Sequence, residues 1–421
     1  MNNDHTKSIR YKLTVLNFLE FFVFGAWLLS FGKYMFSTLH FSGLQIGQVF
    51  MNLGLASLVT PALFGIIADK IGPNKVFAFL HLIGAGLLFF LARQGSYEGI
   101  WWLSLLYLAL YMPTIALDNT ISYCILERNK LDVVTYFPPI RVWGTIGFII
   151  ATWITDIFGW GINSYQFYFA AVISLLLGIY TFALPDCPPE KKDHIPSFAE
   201  RLGLNAFKLF ADSKMAVFFI FSMLLGAALQ ITNMWGEAFI HDFATIDEFK
   251  NTLAVRFNGV LMSLSQISET AFIITIPFFL KRFGIKKVML MSMIAWVLRF
   301  GLFGIGNPVG IGLVALILSM IVYGMAFDFF NISGSLFVEQ EAKQDIRASA
   351  QGLFMIMTNG LGAIIGALGS GYVIDKFTHN QIKDWQSIWF TFAAYALVIA
   401  VLFAVLFKYK HEPEKLGNIK H

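Results

Sequence analysis

Apolar residues occur in long blocks separated by short polar joints, and twelve of these blocks approach the ~20 residues that cross a hydrocarbon core. The first is centred near Phe24 and the last near Ala396. Most joints are short. The longest polar one, from Leu184 to Lys214, opens with Pro185, Pro188 and Pro189 and carries Glu190-Lys-Lys-Asp193. It divides the chain into six blocks and six. The pattern predicts an all-α membrane protein of twelve transmembrane helices in two pseudo-symmetric six-helix halves. The halves fall at 1–184 and 214–410, with a linker over 185–213 and a tail over 411–421.

Polar positions inside the blocks carry the functional information. The tenth block contains Leu318-Ser-Met-Ile-Val-Tyr-Gly-Met-Ala-Phe-Asp-Phe-Phe-Asn-Ile-Ser-Gly-Ser335, with Asp328 and Asn331 far from either end. A carboxylate near the bilayer centre costs at least about 2.5–3.5 kcal/mol, so it persists where it has a task or a partner. Tyr323, Phe327, Asp328 and Asn331 stand at i, i+4, i+5 and i+8 and share one broad helical face. Two rings, an acid and an amide there form one wall of a solute site.

The fifth block opens with Phe137-Pro-Pro-Ile-Arg-Val-Trp-Gly-Thr-Ile-Gly-Phe148, which puts Arg141, Thr145 and Phe148 on one face at i, i+4 and i+7. They either offer a cavity a cation, a hydroxyl and a ring, or Arg141 snorkels to the interface or pairs with an acid. Gln230 and Asn233 in the seventh block are spaced i, i+3, and Gln266 and Glu269 repeat that spacing in the eighth. Amides between membrane helices often act only as glue worth about 0.6 kcal/mol. Two such pairs together with intramembrane acids point instead to a polar cavity. Glu20, Asp118 with Asn119, and Arg299 also fall inside blocks. Each has a structural reading, beside a place in the cavity or proton route for the acids and a water-filled crevice for Arg299. The run Gly360-Leu-Gly-Ala-Ile-Ile-Gly-Ala-Leu-Gly-Ser-Gly371 suits close helix packing; no Lys-Ser/Thr follows it, as a phosphate loop requires.

Composition agrees with the blocks. The chain is 57% hydrophobic and 13% charged, against about 25% charged in soluble domains, and its mean hydropathy is +0.67. Forty-five Phe and ten Trp fit a lipid-facing surface with aromatic belts. The net charge of +4 comes from basic residues in short loops, so no nucleic-acid partner is expected. Lys and Arg concentrate on the side that holds both termini and the linker, which makes that side cytoplasmic. Met1 to Lys12 lacks the pattern of a cleaved signal peptide, so the first span is expected to be retained. Cys124 and Cys187 suggest neither a disulfide framework nor a metal site. No His-x-x-x-His pair, Gly-x-Ser-x-Gly elbow or nucleophile–base set is present, which argues against an enzyme and against a cofactor.

Two loops echo each other: Gly65-Ile-Ile-Ala-Asp-Lys-Ile-Gly-Pro-Asn-Lys75 after the second block and Pro277-Phe-Phe-Leu-Lys-Arg-Phe-Gly-Ile-Lys-Lys287 after the eighth. Both place basic residues where a helix C-terminus favours cations. The six-plus-six layout and the Gly-x-x-x-Asp-Lys-x-Gly pattern at 65–72 resemble the major facilitator superfamily. That resemblance implies a substrate near the midplane between two halves that rock about it. More specifically, the Phe137–Phe148 string, Phe218–Asn233, Gln266-Ile-Ser-Glu-Thr270, Tyr323–Gly334 and Ile346-Arg-Ala-Ser-Ala-Gln-Gly352 are similar to the nucleoside:proton symporter family. The similarity runs from about Leu13 to Lys410. It implies a proton-coupled importer of nucleosides in the bacterial cytoplasmic (inner) membrane, working as a monomer in the lipid bilayer. It also implies substrate-binding roles for Arg141, Thr145, Phe148, Gln230, Asn233, Gln266, Glu269, Tyr323, Phe327 and Asp328. Glu20 and Asp118 stand where the family carries an uncharged amide and an apolar residue, a departure that bears on substrate preference and the proton route.

The chemistry of these side chains suits a nucleoside. Phe148, Tyr323 and Phe327 can stack a base, worth about 1–3 kcal/mol per base in nucleic-acid proteins. The amides of Gln230, Asn233 and Gln266 both donate and accept. Glu269 or Asp328 can accept from ribose hydroxyls, and Arg141 can donate to a ring nitrogen or carbonyl. A coupled proton needs a carboxylate that titrates near neutrality, about 3 units from its free value or roughly 4 kcal/mol. Full burial can supply 3–5 units, and a nearby guanidinium opposes it. The coupling acid is therefore expected to be whichever of Asp328 and Glu269 lies farther from Arg141, with Asp328 favoured. A proton-coupled symporter of sugars or other neutral polyols is the nearest alternative, and a non-transporting receptor on the same fold is a more distant one.

Overall fold

A computed structural model describes residues 3–189, 204–344, 346–380 and 382–409. The Glu190–Asp193 charge run and the tail from 411 lie outside the described residues. The α-helices are α1 (Asn3–Gly25), α2 (Leu28–Ser37), α3 (Gly43–Ile71), α4 (Pro73–Leu91), α5 (Tyr97–Arg128), α6 (Val133–Ile157), α7 (Tyr165–Thr181) and α8 (Ser213–Asp242). They continue with α9 (Leu253–Arg256), α10 (Asn258–Met262), α11 (Leu264–Phe283), α12 (Ile285–Ile305), α13 (Gly310–Glu341), α14 (Arg347–Met355), α15 (Ala363–Lys376) and α16 (Trp385–Leu406). A π-helical turn, Ile356–Gly362, joins α14 to α15. Among the described residues the only strands are Thr378–His379 and Ile382–Lys383, paired antiparallel.

Lipid offers no partner for backbone N–H and C=O groups, so long apolar blocks resolve into helices that satisfy their own. Among the described residues, eleven helical stretches are long and apolar enough to cross a membrane. The twelfth expected span, α7, has 17 residues and so extends about 25 Å. The all-α membrane architecture read from the sequence is what the chain adopts. Polar caps mark the helix starts: Ser96 Oγ accepts from Gly99 N–H at 3.2 Å, Asp132 Oδ2 from Thr135 N–H at 2.9 Å, and Asp212 Oδ1 from Lys214 N–H at 2.8 Å. Such a cap satisfies donors that the first turn leaves unpaired.

The two echoing loops share a backbone geometry. Gly72 (φ +97°) precedes α4 and Gly284 (φ +78°) precedes α12, a region that favours glycine. Lys70 lies in the last turn of α3, and Lys281 with Arg282 in that of α11, where cations suit the helix dipole.

Two compact units divide the chain, one of Met1–Leu39 and Leu55–Phe198, the other of His40–Gly54 and Ala199–His421. In the first, α1 packs on α6 through glycines: a Cβ on Gly147 would lie 2.2 Å from Phe18 O, and one on Gly25 2.4 Å from Phe148 O. Its apolar centre holds Trp27, Phe31, Tyr107 and Phe167, with Trp27 edge-on to Tyr107 at 5.6 Å. In the second unit the Gly-rich run serves close packing, as its composition suggests. Cβ atoms on Gly226, Gly362 and Gly366 would meet Thr358 O, Met223 O and Ala227 O at 2.1, 2.5 and 2.5 Å. The first turns of α3, which belong to this unit, lie as closely on α15, and Asp375 accepts from the N–H groups of Gly43 and Leu44 at 2.6 and 2.8 Å.

The cysteines depart from expectation. Cys124, near the end of α5, and the buried Cys187 are joined in a disulfide with their Cα atoms 6.3 Å apart. Sixty-three residues separate them in sequence. The fold, not their spacing, brings the segment after α7 back onto α5.

Candidate functional site

Seven of the expected site residues lie in the second unit, on three helices. Gln230 and Asn233 sit on α8, Gln266 and Glu269 on α11, and Tyr323, Phe327 and Asp328 on α13. The rings of Tyr323 and Phe327 are parallel within 7° at 6.0 Å, the spacing a one-turn offset gives two aromatic residues. Trp296 of α12 meets Tyr323 edge-on at 6.0 Å. Helices α11 and α13 touch through backbone here, because Gly324 leaves no side chain: a Cβ would lie 2.6 Å from Ser268 O. Ser268 Oγ donates to Ile321 O across the same contact.

Polar side chains on the same three helices are buried or half-buried yet incompletely bonded. Gln230 and Asp328 are each 3% exposed. Gln230 Nε2, Gln266 Oε1 and Asp328 Oδ2 have no hydrogen-bond partner among the described residues. Unpaired buried polar atoms cost about 1–3 kcal/mol each, so native proteins keep few without a use. Glu269 acts electrostatically on both Tyr323 and Asp328, which places the two acids in one electrostatic neighbourhood. Phe327 and Asn331 line a cavity shared with Leu229, Trp296, Thr358 and Asn359. Thr358 and Asn359 come from the π-helical turn, a local feature that sequence spacing does not reveal. Trp296 likewise escaped the sequence reading, since a lone aromatic in an apolar block gives no signal.

In the first unit, Arg141, Thr145 and Phe148 all lie on α6. The Arg141 guanidinium packs 3.9 Å from the centroid of the Phe21 ring. Gly144 makes the room, since a Cβ there would lie 2.6 Å from Arg141 Nη1 and 2.7 Å from Phe21 Cδ2. Phe148 meets Phe24 edge-on at 6.2 Å. Thr145 is half-buried on the same helix.

The other intramembrane charges resolve differently. Glu20 pairs with His81 at 2.8 Å, both buried, and its other oxygen accepts from Thr114 Oγ1 at 2.7 Å. His81 Nδ1 lies 3.1 Å from Ser174 Oγ, so the pair is held at both ends. Asp118 is fully buried with neither carboxyl oxygen hydrogen-bonded among the described residues. Glu20 and Arg141 are the charges that act on it. Arg299, also fully buried, donates to Thr232, Ser265 and Ser319 and has no acid partner among the described residues.

Apolar helices of membrane-spanning length that carry buried amides, acids and an aromatic pair are the features of a membrane transporter. The chain belongs to the nucleoside H+ symporter family, whose profile matches residues 7–412. It is 51% identical to the xanthosine permease of Escherichia coli over 98% of this chain and 99% of that one. It is 50% identical to the nucleoside permease NupG of the same species, over 96% and 97%. The crystal structure of the nucleoside transporter NupG superposes with a TM-score of 0.91, covering 97% of this chain and all of that one. The POT family transporter PepTSo, 13% identical with a TM-score of 0.72 over 95% of this chain and 97% of that one, shares the fold alone.

Proposed function

We propose that this protein imports nucleosides across the bacterial inner membrane by proton symport, with both termini and the linker in the cytoplasm. In this reading Phe327 and Tyr323 take the flat base, and the amides of Gln230, Asn233 and Gln266 meet its edge or the ribose oxygens. Glu269 accepts from ribose hydroxyls. Arg141, Thr145 and Phe148 of the first unit serve the same substrate, and Asp328 carries the coupled proton. The protein works as a monomer and has no nucleic-acid partner.

The observation that carries this reading is the set of buried, unpaired atoms of Gln230, Gln266 and Asp328 on α8, α11 and α13, the last of which also carries the Tyr323–Phe327 stack. A ligand with both an aromatic face and a hydrogen-bonding edge answers both at once; a sugar offers the same hydrogen bonds but only a C–H face, not a second π-system, to the rings. The test is uptake of labelled uridine and adenosine into proteoliposomes under an inward proton gradient. Unlabelled nucleosides are expected to compete strongly, and free ribose and free bases weakly. Competition by hexoses at equal concentration, with none by nucleosides, would transfer the assignment to a sugar symporter.

A further inference from the structure

Helix α12 contributed no residue to the expected site, yet its Arg299 touches all three helices of the second unit that did. Nη1 donates to Ser319 O at 2.8 Å and to Ser265 Oγ at 3.3 Å, and Nε to Thr232 Oγ1 at 3.4 Å. Ser319 Oγ returns a bond to Arg299 O at 2.9 Å. Thr232 is the neighbour of Asn233, Ser265 is the neighbour of Gln266, and Ser319 lies one turn before Tyr323. The guanidinium also stands 4.4 Å from the Tyr323 ring centroid and 5.2 Å from that of Phe303. Tyr323 in turn lies parallel to Phe327, and Phe327 lines the cavity.

A fully buried cation in a membrane helix is costly, and three donated bonds and two ring faces are what compensate it here. A guanidinium is planar with its donors in a fixed fork, so it transmits orientation as an ammonium cannot. We infer that Arg299 is a positioning residue for nucleoside binding. It fixes the ring of Tyr323, and through it Phe327, while holding α8 and α11 at the spacing that lets Asn233 and Gln266 reach one ligand. It does not itself touch substrate. The inference rests on the nucleoside site proposed above.

The test is uridine binding to purified, monodisperse protein by isothermal titration, for wild type, Arg299→Lys, Tyr323→Leu and the double variant. Loss of the fork and of the ring contact is expected to weaken binding about tenfold in Arg299→Lys. The double variant is expected to lose clearly less than the sum of the two single losses, because part of the arginine's effect runs through that ring. A purely structural role would lower the melting temperature and leave the affinity of the folded protein unchanged; that result overturns the inference, as do additive losses in the double variant. Should Arg299→Lys fail to fold, Thr232→Val removes one acceptor and is expected to cost about threefold in affinity; unchanged affinity there also overturns the inference. Wild-type binding by Tyr323→Leu would overturn the nucleoside site itself, and the role of Arg299 with it.

Discussion

Replacing Asp328 by Asn keeps the shape of the side chain and removes the proton it can carry. The site is buried at 3% exposure, and Oδ2 has no partner among the described residues, so the amide fits without displacing a neighbour's bond. Glu269 is the charge that acts on Asp328. If Asp328 is the coupling acid, substrate still binds and exchanges, but its movement is no longer driven. One elementary charge moved through 100 mV is worth about 2.3 kcal/mol, and each 1.36 kcal/mol is a factor of ten. A wild-type liposome clamped at 100 mV, negative inside, should therefore accumulate uridine up to about 50-fold for one coupled proton. Asp328→Asn should equilibrate near onefold while retaining counterflow exchange of labelled for unlabelled uridine. The same measurement on Glu269→Gln should instead raise the KM and preserve accumulation. Undiminished uphill uptake by Asp328→Asn would refute the assignment, and loss of accumulation in Glu269→Gln alone would transfer the proton to that residue.

Three further outcomes are expected. His81→Leu leaves the Glu20 carboxylate buried without its partner, which should cost about 3–5 kcal/mol and lower the thermal midpoint in detergent; an unchanged midpoint would show that the pair carries no stability. Gly144→Ala forces Arg141 off the Phe21 ring, and with about 0.5–2 kcal/mol at stake nucleoside affinity by titration should fall between about twofold and thirtyfold. Asp384, at the start of α16, is held below the usual carboxylate range by hydrogen bonds from the Ser387 hydroxyl and N–H. Its contribution is therefore present above the free-carboxylate pKa of about 3.9 and lost as pH falls below it. Asp384→Ala should cost about 1 kcal/mol at neutral pH, with the difference from wild type vanishing in acid.

The spans were legible because lipid imposes both length and apolarity on every crossing, and the paired glycine turns because φ above zero demands a residue without a side chain. The faces carrying Tyr323 with Phe327 and Arg141 with Phe148 followed from helical spacing alone. Relations between helices did not. Glu20 and His81 are far apart in sequence, and nothing local marks either as the other's partner. Arg299 admitted a structural reading and a crevice one without naming its partners, since its three acceptors are a threonine, a serine and a backbone carbonyl that no pattern singles out. Cys124 and Cys187 gave no sign of pairing, because two cysteines at long spacing fit many arrangements. Asn359 owes its place on the cavity to a π-helical turn, which shifts the register that an ideal helix would predict.

One seam in the second unit is made almost wholly of main chain. The first turns of α3 meet α15 and the π-helical turn at Gly43, Gly47 and Gly54, where an added Cβ would lie 2.6, 2.4 and 2.7 Å from the carbonyl oxygens of Gly371, Ala367 and Gly360. Apart from the Asp375 carboxylate, a contact of this kind freezes few side-chain torsions when it forms, so parting and rejoining it carries little of the entropic charge that interlocked rotamers would impose. Tolerance runs the other way: even a single methyl group has nowhere to go. Positions 43, 47 and 54 should therefore admit glycine alone, however freely the lipid-facing surface of the same helices drifts.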